Sequence, residues 1–213
     1  LALTKKMFRY ANEITGWIIT KKVKIAYVTT QEASDVFPLI SALKELIRQH
    51  GEVAEVAVRS GEDLKDVDQW EEFEHFARSC HLAIFNLHGG KKSLSSFDEL
   101  VQRLQDSSVS IYAQSASNEP EIELMKLSTV DDAIYRKVSQ YLDYGGRENF
   151  YSLILYLANY FIGSNYEFSE PARPIWEGIY HPDFDHVPTL KEYLQSKCVA
   201  GRPTVGLWFY QSL

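Results

Sequence analysis

Along most of this chain, apolar residues at strand spacing alternate with apolar residues at helix spacing. Residues 23–29, Val-Lys-Ile-Ala-Tyr-Val-Thr, predict a strand. Phe37, Ile40, Leu43 and Ile47 then line one helical face. Ser34 or Asp35 is the expected cap, Pro38 lies in the first turn where its missing N–H is tolerated, and Gly51 is the stop. A strand over 53–58 and an acidic helix over 63–79 with Val67, Trp70, Phe73 and Phe76 come next. The strand over 82–87 is apolar on both faces, which places it at the centre of a parallel sheet covered on both sides.

The alternation continues with a helix over 96–105 and a strand over 109–113. Thr129 is the expected cap of a helix with the stripe Ile134, Val138, Tyr141 and Leu142, which Gly145-Gly146 ends. A helix over 148–162 is apolar around much of its circumference, the mark of deep burial. The pattern predicts an α/β fold: a doubly wound, mainly parallel sheet of four to five strands, a flavodoxin- or Rossmann-like layer with an extra helical pair. Before it, Leu3, Met7, Tyr10, Ala11, Ile14, Trp17 and Ile18 fall at helical spacing, with Lys5, Lys6 and Arg9 on other faces. After it, residues 170–183 form a proline-bearing strap too apolar for a solvated linker, and residues 202–210 read as a buried strand. The expected division is 1–20 as an amphipathic helix, 21–145 as the α/β domain, and 146–213 as helix, strap and first strand of a following domain.

Composition narrows the function classes. A net charge of -7 and a pI near 5.4 argue against nucleic-acid binding, which needs a concentrated basic surface. Cys80 and Cys198 show no paired spacing and are expected as reduced thiols in a cytoplasmic protein. No apolar run reaches the length of a transmembrane helix, and no signal-peptide pattern occurs.

In an open parallel sheet, ligands lie beyond the carboxyl ends of the strands. Of those loops, His88-Gly89-Gly90-Lys91-Lys92 has the most suggestive chemistry, since two glycines let amides approach a ligand and two lysines attract an anion. A tight turn with solvated lysines explains the same residues. Gly145-Gly146-Arg147-Glu148-Asn149 separates two helices, so Arg147 and Asn149 stand near a helix amino terminus that favours a carboxylate, although capping alone accounts for the composition. His181, Asp183 and His186 offer a conceivable metal set that turn chemistry also explains; His50, His75 and His81 offer less. Neither phosphate-cradling glycine motif occurs, nor does a Gly-x-Ser-x-Gly or His-Glu-x-x-His pattern.

Five segments in order add a resemblance: Asn86-Leu87-His88-Gly89-Gly90, Leu127-Ser128-Thr129-Val130, Tyr144-Gly145-Gly146-Arg147-Glu148-Asn149-Phe150, Gly178-Ile179-Tyr180-His181-Pro182-Asp183, and Arg202 to Tyr210. Their order and spacing resemble the amino-terminal region of the large subunit of ATP-dependent cobaltochelatase (CobN), and the related large subunit of magnesium chelatase is similar. The resemblance implies a ligase-class metal insertion of cobalamin or magnesium-porphyrin synthesis. The large subunit holds a tetrapyrrole, while an AAA-type ATPase motor and adaptor subunits use ATP to drive in cobalt or magnesium. It also implies that this chain is an amino-terminal fragment without a complete active site, needing no cofactor of its own and partnered by the remainder of its subunit. A stand-alone flavodoxin-like small-ligand or regulatory module, and a ligand-free subunit-docking domain, are the alternatives.

Overall fold

The computed structural model describes residues 21–30, 32–116, 121–173, 178–179, 181, 183–184, 186–199 and 201–202. The expected amino-terminal helix and terminal strand lie outside the described residues, as does part of the strap. The chain divides into two compact units, Leu1–Pro171 and Ala172–Leu213.

The first unit contains a four-stranded sheet, β1 (Val23–Thr29), β2 (Ala54–Ser60), β3 (Leu82–Leu87) and β4 (Ser110–Ser115), all parallel and in the order β2-β1-β3-β4. The expected α/β class and parallel sheet are thus realised. All six residues of β3 are buried, as its unbroken apolar sequence requires of a central strand. Strand alternation sends Val23, Ile25, Tyr27, Leu82, Ile84 and Tyr112 to one core. Ala26, Val28, Ala83, Phe85, Leu87, Ile111 and Ala113 enter the other.

Helices α1 (Phe37–His50), α5 (Asp132–Tyr144) and α6 (Gly146–Ile162) cover the first face, while α2 (Val67–Ala77) and α3 (Phe97–Asp106) cover the second. The short α4 (Ile122–Met125) follows β4 and buries Leu124. Gly145–Gly146 bends the chain between α5 and α6, and the two units divide between Pro171 and Ala172.

Three local expectations are corrected. α1 buries Leu39, Ala42 and Leu46, so the stripe led by Phe37 and Ile40 faces away from the sheet. Asp35 does not cap α1: a wide π-helical turn, Glu32–Val36, carries its carboxylate into the interior. Thr129 does not cap α5 either, because Asp131 accepts from the Ile134 N–H at 2.9 Å. Thr129 lies along the free edge of β4, its N–H donating to the Ile111 carbonyl at 2.8 Å and its Oγ1 accepting from the Ile111 N–H at 2.8 Å. Ser128 Oγ accepts from the Ala113 N–H at 2.9 Å, so two hydroxyls and one amide satisfy an edge that would otherwise be open.

Past α6, Gly163 turns the chain in the left-handed region, and an extended segment returns along the helix. Tyr166 exchanges two hydrogen bonds of 2.8 Å with Asn159, and the Ser169 N–H reaches Ser152 Oγ at 3.3 Å. Seven helical and three extended residues each span about 10 Å, so the two strips keep pace. Tyr141 Oη on Ser169 O at 2.5 Å and the Lys137–Glu170 ion pair fasten the end.

In the second unit, α7 (Leu190–Lys197) opens with a reciprocal Thr189–Glu192 capping box. Among the described residues no helix is long and apolar enough to cross a membrane.

The packing assigns large differences to single side chains. Phe85 is 1% exposed and meets Phe97 edge to face at 5.2 Å, so Phe85→Ala is expected to cost about 3–5 kcal/mol. Val67 is 67% exposed, and Val67→Ala is expected to stay within about 0.5 kcal/mol. Urea unfolding midpoints of the two variants check the contrast.

Candidate functional site

One register row crosses the sheet at its carboxyl edge: Ser60, Thr29, Asn86 and Gln114 are neighbours on β2, β1, β3 and β4. All four are buried, at the place where the apolar strands give way to loops. A buried polar group without a partner costs about 1–3 kcal/mol, so this row must be satisfied internally.

Asp35 provides the centre. Its Oδ2 accepts from Tyr27 Oη at 2.6 Å, Thr29 Oγ1 at 2.7 Å and Asn86 Nδ2 at 2.9 Å. Asn86 Oδ1 accepts from Gln114 Nε2 at 2.9 Å, and Gln114 Oε1 accepts from Tyr112 Oη. Gln114 Nε2 also reaches Asp143 Oδ1 at 3.2 Å, and Ser139 Oγ donates to Asp143 Oδ2 at 3.2 Å. The network runs from α1's entry turn across three strands to the end of α5.

Its electrostatics follow from burial. Desolvation, then the Asp35 charge, hold the Tyr27 phenol well above its ordinary range, and desolvation also raises Tyr112. Both hydroxyls are fixed donors. Asp143 stands at the rim, open to solvent as a residue, while desolvation around its carboxyl raises it above the usual range. Thr29, Asn86 and Gln114 are joined through Asp35 and one another, while Ser60 bonds to Asp63, its N–H donating to Asp63 Oδ2 at 2.8 Å and its Oγ accepting from the Asp63 N–H at 3.1 Å; the row is a hydrogen-bonded base that orients the loops above it.

Those loops are tied down as well. Thr30 bridges the switch point between β1 and β3, its Oγ1 accepting from the His88 N–H at 2.6 Å and its N–H donating to Asn86 O at 3.3 Å. Gly61 lies against the next loop: a Cβ there would meet the Ser93 carbonyl oxygen at 2.8 Å. Gly90 adopts a φ of 65°, and a Cβ would fall 1.7 Å from Glu121 Oε2.

His88 and Gly89 are exposed at this edge, Gly90 is buried, and Lys91 is half-buried. Gly145 and Gly146 follow Asp143, so the α6 amino terminus lies at the same edge. There Arg147 pairs with the adjacent Glu148, and Asn149 Nδ2 donates to Gly145 O at 2.7 Å. The structure thus puts both glycine-pair segments on one rim of the sheet. The second unit holds the third candidate set: His181 Nδ1 accepts from the Asp183 N–H at 3.2 Å, Asp183 pairs with Lys197, and the Phe184 and His186 rings meet at 5.6 Å. Among the described residues no group of three His, Cys, Asp or Glu side chains could hold a metal ion.

Sequence reasoning took Asp35 for a helix cap and Asn86 for part of a family-like segment, counted Thr29 and Gln114 among the carboxyl-end loops without giving them a role, and did not single out Tyr27, Tyr112 or Asp143. The available signal was a buried polar residue within the last two positions of β1, β3 and β4.

A doubly wound layer with a polar row under its carboxyl edge defines an architecture, and comparison with known proteins adds a resemblance. Residues 139–213 match the family model described as CobN/Magnesium Chelatase. An uncharacterized protein of Methanocaldococcus jannaschii is 32% identical over 195 residues, covering 89% of this chain and 15% of that protein. The aerobic cobaltochelatase subunit CobN of Pseudomonas aeruginosa is 27% identical over 139 residues, covering 65% and 11%. In structure, the catalytic subunit of cobaltochelatase from Mycobacterium tuberculosis superposes with a TM-score of 0.57 at 15% identity, covering 76% of this chain and 12% of that one; this likeness is one of fold. The chain's resemblance is to the CobN/magnesium chelatase family, consistent with an amino-terminal CobN region. It spans about an eighth of the length of these relatives.

Removing the carboxylate at the centre tests the network. Asp35→Ala leaves three buried donors unmet and is expected to cost about 3 kcal/mol or more in urea unfolding. Asp143→Asn should behave oppositely. A carboxyl raised in the folded state contributes stability below its unfolded value near 3.8 and loses it as pH rises through the folded value. The variant should therefore gain on the parent as pH is raised from 3 to neutrality, by a small amount because the residue is exposed; a series of urea titrations across that range reads the difference.

Proposed function

We propose that this chain is the amino-terminal portion of the large, tetrapyrrole-binding subunit of an ATP-dependent metal chelatase. The reaction is insertion of cobalt into a corrin precursor in cobalamin biosynthesis, or of magnesium into protoporphyrin; the metal is substrate. The observation that carries this reading is the agreement of the family match over residues 139–213 with the cobaltochelatase fold over 76% of the chain.

In this reading the chain supplies scaffold and one wall of a cleft, and the inserting chemistry belongs to the remainder of the large subunit. ATP is used by separate AAA-type motor and adaptor subunits, and the assembly is cytoplasmic. A tetrapyrrole presents a broad apolar face and peripheral carboxylates, so its wall needs cations and backbone donors on one side. The rim with His88, Gly89, Gly90, Lys91, Gly145, Gly146, Arg147 and Asn149 is the surface whose chemistry fits. Metal ligation by His181, Asp183 and His186 is not needed for this role.

The test is a titration of a metal-free corrin or porphyrin precursor into the full-length subunit, followed by absorbance. Binding is expected, and the Lys91→Ala/Arg147→Ala double variant is expected to weaken it by about tenfold, the loss of roughly one charge-assisted contact. A full-length subunit without tetrapyrrole affinity overturns the proposal, and unchanged affinity in the double variant removes the rim from it.

A further inference from the structure

Among the described residues β2 pairs with β1 alone, so every second residue of β2 turns its backbone away from the sheet. The Val23 N–H donates to Val53 O at 3.0 Å, and in a parallel ladder the bonded residues follow at alternate positions. Glu55, Ala57 and Arg59 therefore present their amides and carbonyls to β1, while Ala54, Val56, Val58 and Ser60 present theirs outward. Side chains meet two of these outward groups: Val58 O accepts from Arg59 Nη1 at 2.9 Å, and the Ser60 N–H donates to Asp63 Oδ2 at 2.8 Å. Ala54, Val56 and Val58 are half-buried, although Val23, Ile25 and Tyr27 beside them on β1 are buried.

The strand is complementary to itself. About Ala57 its sequence, Ala-Glu-Val-Ala-Val-Arg-Ser, mirrors acidic Glu55 in basic Arg59 and Val56 in Val58. Two copies laid antiparallel about a two-fold axis at Ala57 set Glu55 opposite the partner's Arg59, Val56 opposite the partner's Val58 and Ala54 opposite the partner's Ser60. Outward residues then face outward residues, as backbone bonding requires. Moving the axis one residue either way leaves both charges opposite uncharged residues, and moving it two sets Glu55 or Arg59 against its own copy. The register about Ala57 is the one that satisfies both charges.

In that register Val56 and the partner's Val58 exchange N–H···O bonds, and the Ala54 N–H reaches the carbonyl of the partner's Ser60. Val58 O keeps a second lone pair for this contact beside the Arg59 guanidinium. Glu55 with the partner's Arg59, and Ala57 with its own copy, form the pairs without backbone bonds, whose Cα atoms are about 4.5 Å apart and whose side chains lie closest. A methyl group is all that Ala57 brings to the axis. Lys24 Nζ lies 3.3 Å from Glu55 Oε2 and Arg59 Nη2 lies 3.0 Å from Glu72 Oε2. Joining the copies thus makes an alternating row of Lys24, Glu55, the partner's Arg59 and the partner's Glu72. A strand of other sequence would leave these charges unmatched.

We infer that β2 pairs antiparallel with β2 of a second copy of this chain about a two-fold axis at Ala57, joining the two sheets into one, with Glu55 facing the partner's Arg59 on each side of the axis. The self-matching charges of the edge identify the occupant. The inference is independent of tetrapyrrole binding, since none of the glycine-pair residues of the carboxyl rim takes part.

Sedimentation equilibrium of the 213-residue chain over a concentration series reads the association, and a mass of two copies is expected as concentration rises. Glu55→Arg and Arg59→Glu each place like charges opposite one another at two sites per dimer and should each weaken association by about tenfold, with the far-UV spectrum retained. An equimolar mixture of the two variants sets opposite charges face to face again and should return to the parent's affinity. A parent that stays monomeric up to about 1 mM, or a mixture no tighter than either variant alone, overturns the inference. A second measurement needs no change of charge. A disulfide requires Cα atoms about 4.4–6.8 Å apart, so with Cys198→Ser in place Ala57→Cys should form covalent dimers under mild oxidation at least about tenfold faster than Val67→Cys, which is exposed on α2. Equal rates overturn the inference. A full-length subunit that is monomeric overturns it too, in favour of a strand from the rest of that subunit as the occupant.

Discussion

The buried carboxylate of Asp35 is the constraint around which the first unit is arranged. Thr29, Asn86 and Gln114 are buried at the strand ends, so each polar side chain needs a hydrogen-bond partner. Asp35 gathers three donors from two strands, and Asn86 passes the connection on to Gln114 and the end of α5. The π-helical turn that precedes α1 is the backbone's contribution, because it sets the carboxylate inside instead of on the helix end. In exchange the strand termini are held at fixed heights, and the loops above them inherit that order.

The layer was legible because its strands differ from its helices in period and in apolar density. β1 and β3 have the boundaries their sequences predict, and Ile134, Val138, Tyr141 and Leu142 are all buried as their spacing requires. The inward face of α1 was not legible: two apolar stripes share the helix, and the bulkier one lies outside. Asp35 and Thr129 look like caps in sequence, since both stand just ahead of helical patterns. Whether such a side chain bonds its own helix or a neighbouring strand depends on the long-range positions of Asn86 and Ile111, which spacing does not encode. The same holds for the polar row, whose neighbours lie 28 or more residues apart and become adjacent through register alone.

The two glycine pairs show the converse. Nothing local links residues 88–91 to residues 145–149, yet a helix that follows a strand back along the sheet and one that reverses again must return the chain to the carboxyl rim. Parity of elements brings them to one edge, and the hydrogen bond between Gln114 and Asp143 marks the place. The return segment after Gly163 then braces α6 over part of its length, which explains how so apolar a helix remains covered on a side the sheet does not reach.

The hydroxyls of Ser128 and Thr129 have an effect beyond the satisfaction of β4. They leave the sheet asymmetric, sealed along one flank, while β2 on the other flank pairs only with β1 among the described residues. Among the described residues the border of β2 is the one at which a further strand could pair. That border is guarded electrostatically: Glu55 is engaged by Lys24 and Arg59 by Glu72, so an incoming backbone would meet ionised side chains before it met free amides. Among the described residues β2 is the flank without a strand beside it, and there ionised side chains line the border.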